Sequence, residues 1–187
     1  MDGILAVTGD GKPEEERETA GSAPVTFGQL YDAHLTDLYR YFLAHTGSDN
    51  EAADLTQQVF VQALSAWPRF SGATDTVRPW IFRIARNTLI DSYRRRRPAV
   101  AWDDVPFEAQ PVAGDDTEAS VLQRDETRKL VTAERELPTG KRELLIMRFV
   151  AGLTVREIAA AVDRKEGAVR SEIRRVLQQL KETMTDE

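Results

Sequence analysis

One stretch of the chain, Arg78–Arg97 (RPWIFRIARNTLIDSYRRRR), combines regularly spaced apolar residues with many arginines. It constrains the fold more than any other stretch, because a helix built from it must bury one side and expose a cationic one. Pro79 fits the first turn of such a helix, where its missing N–H would have no partner. At 100° per residue, a face about 120° wide carries Arg83, Arg86, Asn87, Arg94 and Arg97. The sequence therefore predicts one helix over 78–97.

The arginine-rich face favours a nucleic-acid partner. Guanidinium groups can grip phosphate oxygens with two parallel hydrogen bonds. The run Arg94–Arg97 places like charges together without an acidic residue between them, which is unfavourable unless a polyanion neutralises them. Asn87 lies in the middle of this face, and its amide offers both a donor and an acceptor to a base edge. A solvated charged face is the alternative for any basic helix.

The net charge of −6 argues against a nucleic-acid binder, but the charge is unevenly distributed. Between Pro98 and Gln123 there is no Lys or Arg, and the acidic residues there are Asp103, Asp104, Glu108, Asp115, Asp116 and Glu118. Local potential matters more than the sum for what each block attracts. Cys is absent, which excludes disulfides and thiolate metal sites. No apolar run approaches the roughly 20 residues of a membrane span, so no membrane partner and a cytoplasmic location are expected.

Residues 1–25 are predicted to be disordered, because they are rich in Gly, Glu and Thr. Thr26 and Gln29 have the spacing of a capping box, which predicts the start of the first helix, and Gly47 is its predicted C-cap. His34 and His45, the only histidines, lie on the apolar stripe of this helix. They are interpreted as packing residues rather than as ligands or catalytic groups.

A second helix is predicted from the capping-box spacing of Ser48 and Glu51 to the helix stop at Trp67-Pro68. Several of its residues lie wholly or partly off the core stripe: Asp54, Gln57, Gln58, Phe60, Val61 and Leu64. An exposed apolar pair, Phe60 and Leu64, beside amides and a carboxylate predicts a protein contact surface. The alternative is a wider core face.

The segment Phe70–Val77 (FSGATDTV) is small and polar and is predicted to be a loop before the basic helix. Such a loop could surround an extruded base while the helix holds the backbone. Trp80 could stack on a base, an interaction of about 1–3 kcal/mol in comparable systems. An equally plausible place for Trp80 is the core.

Residues 98–123 are predicted to form an extended linker, in which Trp102 and Phe107 indicate a docked segment. A second helical block is expected from near Thr117, followed by a short helix that ends at Gly152.

The end of the chain has the pattern of a helix-turn-helix. Thr154 and Glu157 form a third capping box, which predicts a helix over 154–162, a turn over 163–165 and a last helix over 166–182. The inward positions of the last helix are Val169, Ile173, Val176, Leu177 and Leu180, and the outer ones are Glu166, Arg170, Ser171, Arg174 and Lys181. Such a helix would enter a DNA major groove.

These segments, in this order, resemble the bacterial sigma factors of RNA polymerase, specifically the small extracytoplasmic-function (ECF) branch with only regions two and four. Ala53–Phe60 (ADLTQQVF) resembles the family's polymerase-binding segment D-L-x-Q-E-V-F. The motif PWIFRIARN resembles the helix that melts promoters and reads the minus-ten element. Leu137-Pro138 with GLTVREIAAAV and EGAVRSEIRR resembles the helix-turn-helix that reads the minus-thirty-five element.

The resemblance implies an all-α fold of two small helical domains joined by an acidic linker. Its expected divisions are a tail at 1–25, region two at 26–97, the linker at 98–123 and region four at 124–187. The implied partners are core RNA polymerase (the clamp helices of its largest subunit, and its flap), promoter DNA and an anti-sigma factor. No cofactor, metal or catalytic residue is implied.

The resemblance also implies roles for individual residues. The clamp helices would be contacted by Asp54, Leu55, Gln57, Gln58 and Phe60. Minus-ten DNA would be contacted by Phe70, Ser71, Gly72, Trp80, Arg83, Arg86, Asn87, Arg94 and Arg95. Minus-thirty-five DNA would be contacted by Thr154, Glu166, Arg170, Ser171, Arg174 and Arg175. Within these sets, Asn87 would read an unstacked base of the non-template strand.

Four residues depart from the family pattern. Gln58 stands where Glu is usual, and Asp163 stands in the turn where Gly is usual, although Asp tolerates a left-handed conformation. Lys165 replaces a Ser or Thr N-cap, at a cost of about 1 kcal/mol. Glu172 stands where a basic residue is common and would repel phosphate if it faced DNA.

Two other functions are compatible with parts of the pattern. An ordinary helix-turn-helix regulator would use residues 27–97 as a sensor domain, but such a domain has no reason to carry both Asp54–Phe60 and Asn87. A nucleic-acid-processing enzyme would need a metal-ligand cluster, a phosphate-binding loop or a nucleophile with a base, and the sequence shows none of these patterns.

Overall fold

The computed structural model of the chain describes residues 26–96 and 137–185, and every regular element in these two ranges is helical. The α-helices are α1 (Phe27–Thr46), α2 (Asp49–Ala66), α3 (Thr74–Arg96), α4 (Thr139–Leu145), α5 (Val155–Ala161) and α6 (Glu166–Thr185). A short 3-10 helix, Trp67–Arg69, follows α2, and a π-helical turn, Ile146–Val150, follows α4. The predicted all-α fold is confirmed. The predictions for the tail at 1–25, for Arg97, for the linker and for the helix near Thr117 lie outside the described residues.

The predicted start and end of α1 are confirmed. The hydroxyl of Thr26 accepts a hydrogen bond from the Gln29 backbone N–H at 3.3 Å, and the Gln29 side chain accepts from the Thr26 N–H at 2.9 Å. These reciprocal bonds close the capping box and satisfy N–H groups that have no partner inside the helix. Gly47 ends α1 with φ of 63°, a conformation that costs glycine little.

The start of α2 is capped by one half of the predicted box. The Ser48 hydroxyl accepts from the Glu51 backbone N–H at 3.4 Å. The Glu51 carboxylate forms an ion pair with Arg96 of α3, so it links two helices. The predicted stop at Trp67-Pro68 is confirmed, because α2 ends at Ala66 and the chain tightens into the 3-10 helix.

Helix α3 begins earlier than predicted, which corrects both the helix start and the loop over 70–77. Its first residue is Thr74, so Pro79 lies inside the helix and only residues 70–73 form the loop. Pro79 cannot donate to the Asp75 carbonyl, which normally disfavours a helix interior. Val77 and Pro79 are both buried, and this burial holds the first turns against the core.

The three N-terminal helices, here called the N-terminal unit, pack around a shared apolar centre. Their fully or almost fully buried side chains include Leu30, Leu38, Tyr41, Phe42, Leu55, Val59, Ile81, Phe82 and Leu89. Burying each large apolar side chain contributes about 1.5–3 kcal/mol relative to leaving it exposed. This packing fixes which faces of α2 and α3 remain available to solvent.

The helices α4–α6 are here called the C-terminal unit, and α5 and α6 form the predicted helix-turn-helix. Thr154 and Glu157 close the capping box of α5, with bonds of 3.2 Å and 2.7 Å between side chain and backbone. Asp163 has φ of 55° in the turn before α6. Val169, Ile173, Val176 and Leu180 are buried as predicted, whereas Leu177 is 42% exposed and its predicted inward position is wrong. Its angular position near the edge of the apolar stripe places it outside the contact with α4 and α5.

The two units are in contact with each other. Helix α5 packs on α3, and the π-helical turn packs on α1. The buried apolar residues of both units belong to one continuous cluster. As a result, part of the outer surface of α3 lies beneath the C-terminal unit.

His45 gives the fold a defined acid sensitivity. Burial, followed by the positive charge of Arg142, lowers the pKa of His45 to about 3. The unfolded chain binds a proton at this side chain near its ordinary pKa of about 6.5, but the folded chain does so only near 3. This contribution to stability is therefore complete above pH 6.5 and is lost as the pH falls towards 3.

We expect the His45→Gln variant to lose less stability on acidification than the native protein. The difference in the slope should be about 1.4 kcal/mol for each pH unit below about pH 6.5, because one fewer proton is taken up on unfolding. Denaturant unfolding followed by circular dichroism at several pH values measures it. The comparison variant is His34→Gln, which should change the slope in the same direction, since burial and Arg78 also lower the pKa of the half-buried His34. Equal slopes for the native protein and His45→Gln would contradict this assignment.

Candidate nucleic-acid interface

The basic face of α3 is partly exposed and partly covered. Asn87 is exposed, as its predicted role requires. Arg83 donates from Nη2 to the Ala160 carbonyl of α5 at 2.6 Å. Arg86 donates from Nε to the Glu143 carboxylate of α4 at 3.1 Å. The amide and the two arginines share the predicted face, and the arginines already contact the C-terminal unit.

The arginines at the end of α3 are exposed, and one of them, Arg96, has an acidic partner that the sequence did not indicate. Arg96 is paired with Glu51 and its guanidinium carbon lies 4.9 Å from the centre of the Tyr93 ring. This pairing was missed because Glu51 is distant in sequence and is brought close by the packing of α2 on α3. Arg94 and Arg95 are exposed at the same helix end.

An aromatic cluster supports the loop that precedes α3. The Trp67 and Phe70 rings stack with centroids 5.3 Å apart and planes 9° apart. Trp80 lies 4.7 Å from Phe70 and 5.9 Å from Trp67, so its ring is held inside the protein's own cluster and is only partly exposed. Ser71 and Gly72 lie exposed on the loop above these rings.

Gly72 allows the loop to fold tightly onto this cluster. A Cβ at position 72 would lie 2.3 Å from Oγ1 of Thr76 and 2.6 Å from the Phe70 ring, both shorter than real contacts allow. The Thr76 hydroxyl is itself bonded to the Ala73 carbonyl at 2.6 Å. The backbone at residue 72 is therefore close to both the ring and the first turn of α3.

The five candidate polymerase-contact residues on α2 divide into two groups. Asp54, Gln57 and Gln58 are exposed, whereas Leu55 is 2% and Phe60 is 6% exposed. The prediction of an exposed Phe60 is wrong, because α1 covers it: the Tyr31 ring lies 4.5 Å from the Phe60 ring. Leu55 and Phe60 can hold α2 in place but offer little surface to a partner.

An apolar surface does exist beside the exposed amides, and it is formed by other residues. Val61 is 69% and Leu64 is 56% exposed on α2. On α1, Tyr31 and Leu35 are also large exposed apolar residues. Both Val61 and Leu64 were predicted to lie wholly or partly off the core stripe of α2, and their exposure confirms this.

The outer face of α6 carries the residues predicted for duplex contact. Glu166, Arg170, Ser171, Arg174 and Arg175 are all exposed. Arg170 is paired with Glu166 one turn earlier. The exposed Thr154 is placed at the start of α5 by its capping box, where its hydroxyl bonds the Glu157 side chain at 2.8 Å.

Glu172, a departure from the family pattern, is partly buried and forms an ion pair with Arg164 of the turn. Lys165 contributes its carbonyl to the first turn of α6, accepting from Ala168 at 3.0 Å and Val169 at 3.1 Å.

A polar cluster between the two units was not predicted from the sequence. Glu143 is 1% exposed and accepts from Arg86 and, at 3.1 Å, from the hydroxyl of the buried Tyr41. Burial and the Glu143 charge raise the pKa of Tyr41 well above its ordinary value, so the hydroxyl stays protonated and donates. The sequence signal available for this cluster was Glu143, an acidic residue between Arg142 and the apolar run at 144–147.

Arg78 forms the second half of this contact. Its guanidinium donates to the Ala151 carbonyl at 2.6 Å and the Gly152 carbonyl at 3.2 Å, and pairs with Asp37 at 2.9 Å. Glu157 lies 3.8 Å from the same group. Together with Arg83 and Arg86, Arg78 makes three arginines of α3 that directly join the N-terminal and C-terminal units.

Comparison with known protein families matches both units. Residues 30–99 match the family model for sigma-70 region 2, and residues 127–180 match that for sigma-70 region 4. The ECF RNA polymerase sigma factor SigC of Mycobacterium tuberculosis is 31% identical over 141 residues, which are 74% of this chain and 72% of SigC. This chain belongs to the ECF branch of the sigma-70 family. It is an RNA polymerase sigma factor, of the kind that acts in promoter-specific transcription initiation.

Two further comparisons extend this result. The ECF sigma factor BldN of Streptomyces coelicolor is 32% identical over 174 residues, which are 92% of this sigma factor and 65% of BldN. In structure, the sigma factor RpoE of Bartonella quintana, solved with the anti-sigma factor NepR, matches with a TM-score of 0.62 and 22% identity. The match covers 85% of this chain and 96% of RpoE and shows the shared fold. None of the helices described in this sigma factor is long and apolar enough to span a bilayer.

We expect Gly72→Ala to destabilise the sigma factor and to disturb its aromatic cluster. The new methyl group must displace the Phe70 ring or the Thr76 side chain, which costs about 1–3 kcal/mol for overpacking of this kind. The matched control is Gly28→Ala in α1, where no atom lies within 4 Å of the added Cβ. That substitution should leave stability unchanged or raise it by about 0.5–1 kcal/mol. Denaturant unfolding and tryptophan fluorescence measure both effects, and equal stability of the two variants would contradict the crowding argument.

Proposed function

We propose that this chain directs core RNA polymerase to a specific set of promoters and helps to open them. The observation that carries the proposal is the exposed Asn87 on the basic face of α3, the helix that follows the supported loop at 70–73. An amide between arginines suits one base of a single strand whose phosphates are held on either side. Membership of the sigma-70 family supports the same role.

The proposed division of the chain follows its two units. The tail is 1–25, region 2 is 26–97, the acidic linker is 98–123 and region 4 is 124–187. The family matches at 30–99 and 127–180 support the two regions, with boundaries that differ by a few residues. We propose that the acidic linker follows the RNA exit path of polymerase.

The proposed polymerase contact uses the exposed surface of α2. Asp54, Gln57 and Gln58 would contact the clamp helices, joined by Val61 and Leu64 as apolar contacts. Leu55 and Phe60 would support this surface from beneath. For the polymerase flap, the exposed apolar pair Phe149 and Val150 after α4 is the proposed contact.

Minus-ten DNA would be held by region 2. Arg83, Arg86, Arg94 and Arg95 would contact backbone phosphates, while Asn87 reads a base. Ser71 and Gly72 would lie beside the extruded base, because both are exposed on the loop. Phe70 and Trp80 would act mainly by holding the loop, since their rings pack against each other.

Minus-thirty-five DNA would be contacted by region 4. Arg170, Ser171, Arg174 and Arg175 on α6 would face the major groove, and Glu166 and Thr154 would lie at its edge. The Glu172 carboxylate is paired with Arg164, which reduces the repulsion of phosphate that its sequence position suggested.

We further propose that the protein is not an enzyme and works in the cytoplasm, where polymerase supplies the chemistry. It needs no metal or cofactor for reading and melting DNA. An anti-sigma factor is the proposed regulator, since the structurally similar RpoE was solved with one. The exposed Tyr31, Leu35, Val61 and Leu64 would be part of the surface that it covers.

We expect the free protein to bind duplex promoter DNA weakly and to bind promoters firmly only with core polymerase. Two modest DNA surfaces joined by a linker gain from effective concentration only when both are held at the correct span. Gel-shift titrations with and without core polymerase measure this difference. Tight, sequence-specific binding by the free protein would contradict the proposal and favour an ordinary helix-turn-helix regulator.

We expect Asn87→Ala to weaken transcription or to change promoter choice. Losing the amide removes hydrogen bonds to one base, and such a pair contributes about 1–3 kcal/mol of discrimination, or roughly 5–150-fold. Run-off transcription with core polymerase on a pool of genomic promoter fragments measures the effect. The matched control is Asn50→Ala, because Asn50 is the other asparagine of the chain and is exposed at the start of α2.

The same assay tests the function itself. Specific transcripts with the native protein support a sigma factor, whereas no transcripts on any fragment would contradict the proposed function. Equal loss with Asn50→Ala and Asn87→Ala would remove the base-reading role from Asn87 while leaving the function in place.

A further inference from the structure

The turn before α6 carries an arginine that is not among the DNA contacts given above, and we propose that it is a further one. Arg164 binds a backbone phosphate of the minus-thirty-five duplex at one edge of α6, and at the same place it neutralises the carboxylate of Glu172. This inference rests on the proposed function, because it assumes that the outer face of α6 meets DNA. It adds a residue to that surface and accounts for an acid on the same helix.

The first argument is the distribution of charge around α6. Ser171 is exposed in the middle of the outer face, opposite the buried side of the helix. At about 100° per residue, Arg170 lies to one side of Ser171 and Glu172 lies equally far to the other. A helix in the major groove has a phosphate backbone along each of its edges. The edge at Arg170 is therefore suited to a phosphate, whereas the edge at Glu172 needs a cation from elsewhere.

The second argument is that the turn places Arg164 at this edge. The guanidinium of Arg164 pairs with the Glu172 carboxylate through Nη2. The backbone N–H of Arg164 donates to the Ala159 carbonyl of α5 at 2.9 Å. The turn therefore fixes the base of this side chain, and Glu172 fixes its end. Ala168 lies one turn before Glu172 on the same side of α6, and its small side chain leaves the guanidinium accessible.

The third argument is that the pair presents its cation to the outside more than its acid. The Arg164 side chain is 44% exposed, whereas that of Glu172 is 20% exposed. A guanidinium has five N–H donors on three nitrogens. Within residues 26–96 and 137–185, Nη2 is the one nitrogen of this guanidinium that has a hydrogen-bond partner. The donors on Nε and Nη1 can therefore bind a phosphate while Nη2 stays on the carboxylate.

The fourth argument is that the other edge of α6 has the same arrangement. Arg170 pairs with Glu166 one turn earlier, and the Arg170 side chain is 58% exposed. Each edge thus carries an exposed arginine whose guanidinium is restrained by a carboxylate of the same unit. A restrained side chain loses less conformational freedom when a phosphate binds it. Arg164 and Arg170 are therefore suited to the two backbones of one groove.

The phosphate contact is tested by the salt dependence of DNA binding. Fluorescence anisotropy of the free protein with a short, fluorescein-labelled duplex of mixed sequence measures the binding constant at several salt concentrations. Arg164→Ala should reduce the steepness of log K against log salt by about 0.9, because one phosphate contact is lost. Between about 50 and 200 mM salt, the native protein should therefore lose about 3.5-fold more affinity than this variant does.

Two further variants separate the phosphate contact from a merely structural role of the ion pair. Arg164→Lys keeps a cation in the turn and should keep the native salt dependence. The matched control is Arg40→Ala, which removes the same charge from an exposed position on α1 and should also keep it. Circular dichroism should show equal helix content for all variants, because a partly exposed ion pair contributes little to stability. Native salt dependence in Arg164→Ala overturns the proposal.

The neutralising role of Arg164 is tested by removing the charge of Glu172 in two backgrounds. In the native background, Glu172→Gln should leave the affinity for the duplex close to its native value, because Arg164 already neutralises the acid. In the Arg164→Ala background, the same change should raise the affinity several-fold, since an unneutralised carboxylate no longer repels phosphate, while the reduced salt dependence persists. Equal effects in the two backgrounds would show that the residues are not coupled and would overturn this role.

These measurements need neither polymerase nor a known promoter, so they are independent of the run-off assay. If the native protein supports no transcription but Arg164→Ala reduces the salt dependence, the proposed function fails and the DNA contact of Arg164 stands. If the native protein is active in transcription and Arg164→Ala binds the duplex as the native protein does, the function stands and the contact fails. A native protein that does not bind the duplex even at low salt also overturns the contact, because phosphate binding needs no particular sequence.

Discussion

The buried carboxylate of Glu143 is the interaction on which the arrangement of the two regions depends. A charge taken out of water costs several kcal/mol unless it is paired and its remaining lone pairs are satisfied. In this chain, Tyr41 of α1 and Arg86 of α3 make those bonds, and both belong to the opposite unit. Separating the regions must either hydrate this carboxylate or give it new partners, so the contact stabilises the packed arrangement of the two units.

Helix α3 must pack into the N-terminal unit with one side and present its DNA-contact residues on another. Ile81, Phe82 and Leu89 anchor it in the N-terminal unit, and this rigidity fixes the direction of Arg83 and Asn87. A DNA-reading site on a packed helix keeps its geometry better than one on a loop alone. The aromatic cluster in turn holds the loop at 70–73. This support explains why the loop can consist of small, polar, exposed residues and still be ordered.

Much of the fold could be predicted from bonds between residues close in sequence, whereas contacts between residues far apart in sequence could not be predicted. The starts of α1 and α5 follow from capping boxes at Thr26 and Thr154, because those bonds join residues three apart. The predicted start of α3 was wrong, because burial of Val77 determines where the helix begins. The predicted exposure of Phe60 was wrong, because α1 covers this side chain. The pairing of Arg86 with Glu143 joins residues 57 apart, which no periodicity could indicate.

The departures from the family pattern in the helix-turn-helix become understandable when they are considered together. Asp163 adopts the left-handed conformation that Gly usually provides, and the next residue, Arg164, pairs with Glu172 on α6. The turn thereby supplies the positive charge that neutralises the unusual acid. Such a partly exposed pair contributes only about 0–1 kcal/mol, so a DNA phosphate could draw Arg164 away at little cost. The α6 surface can therefore remain effectively basic through Arg170, Arg174 and Arg175.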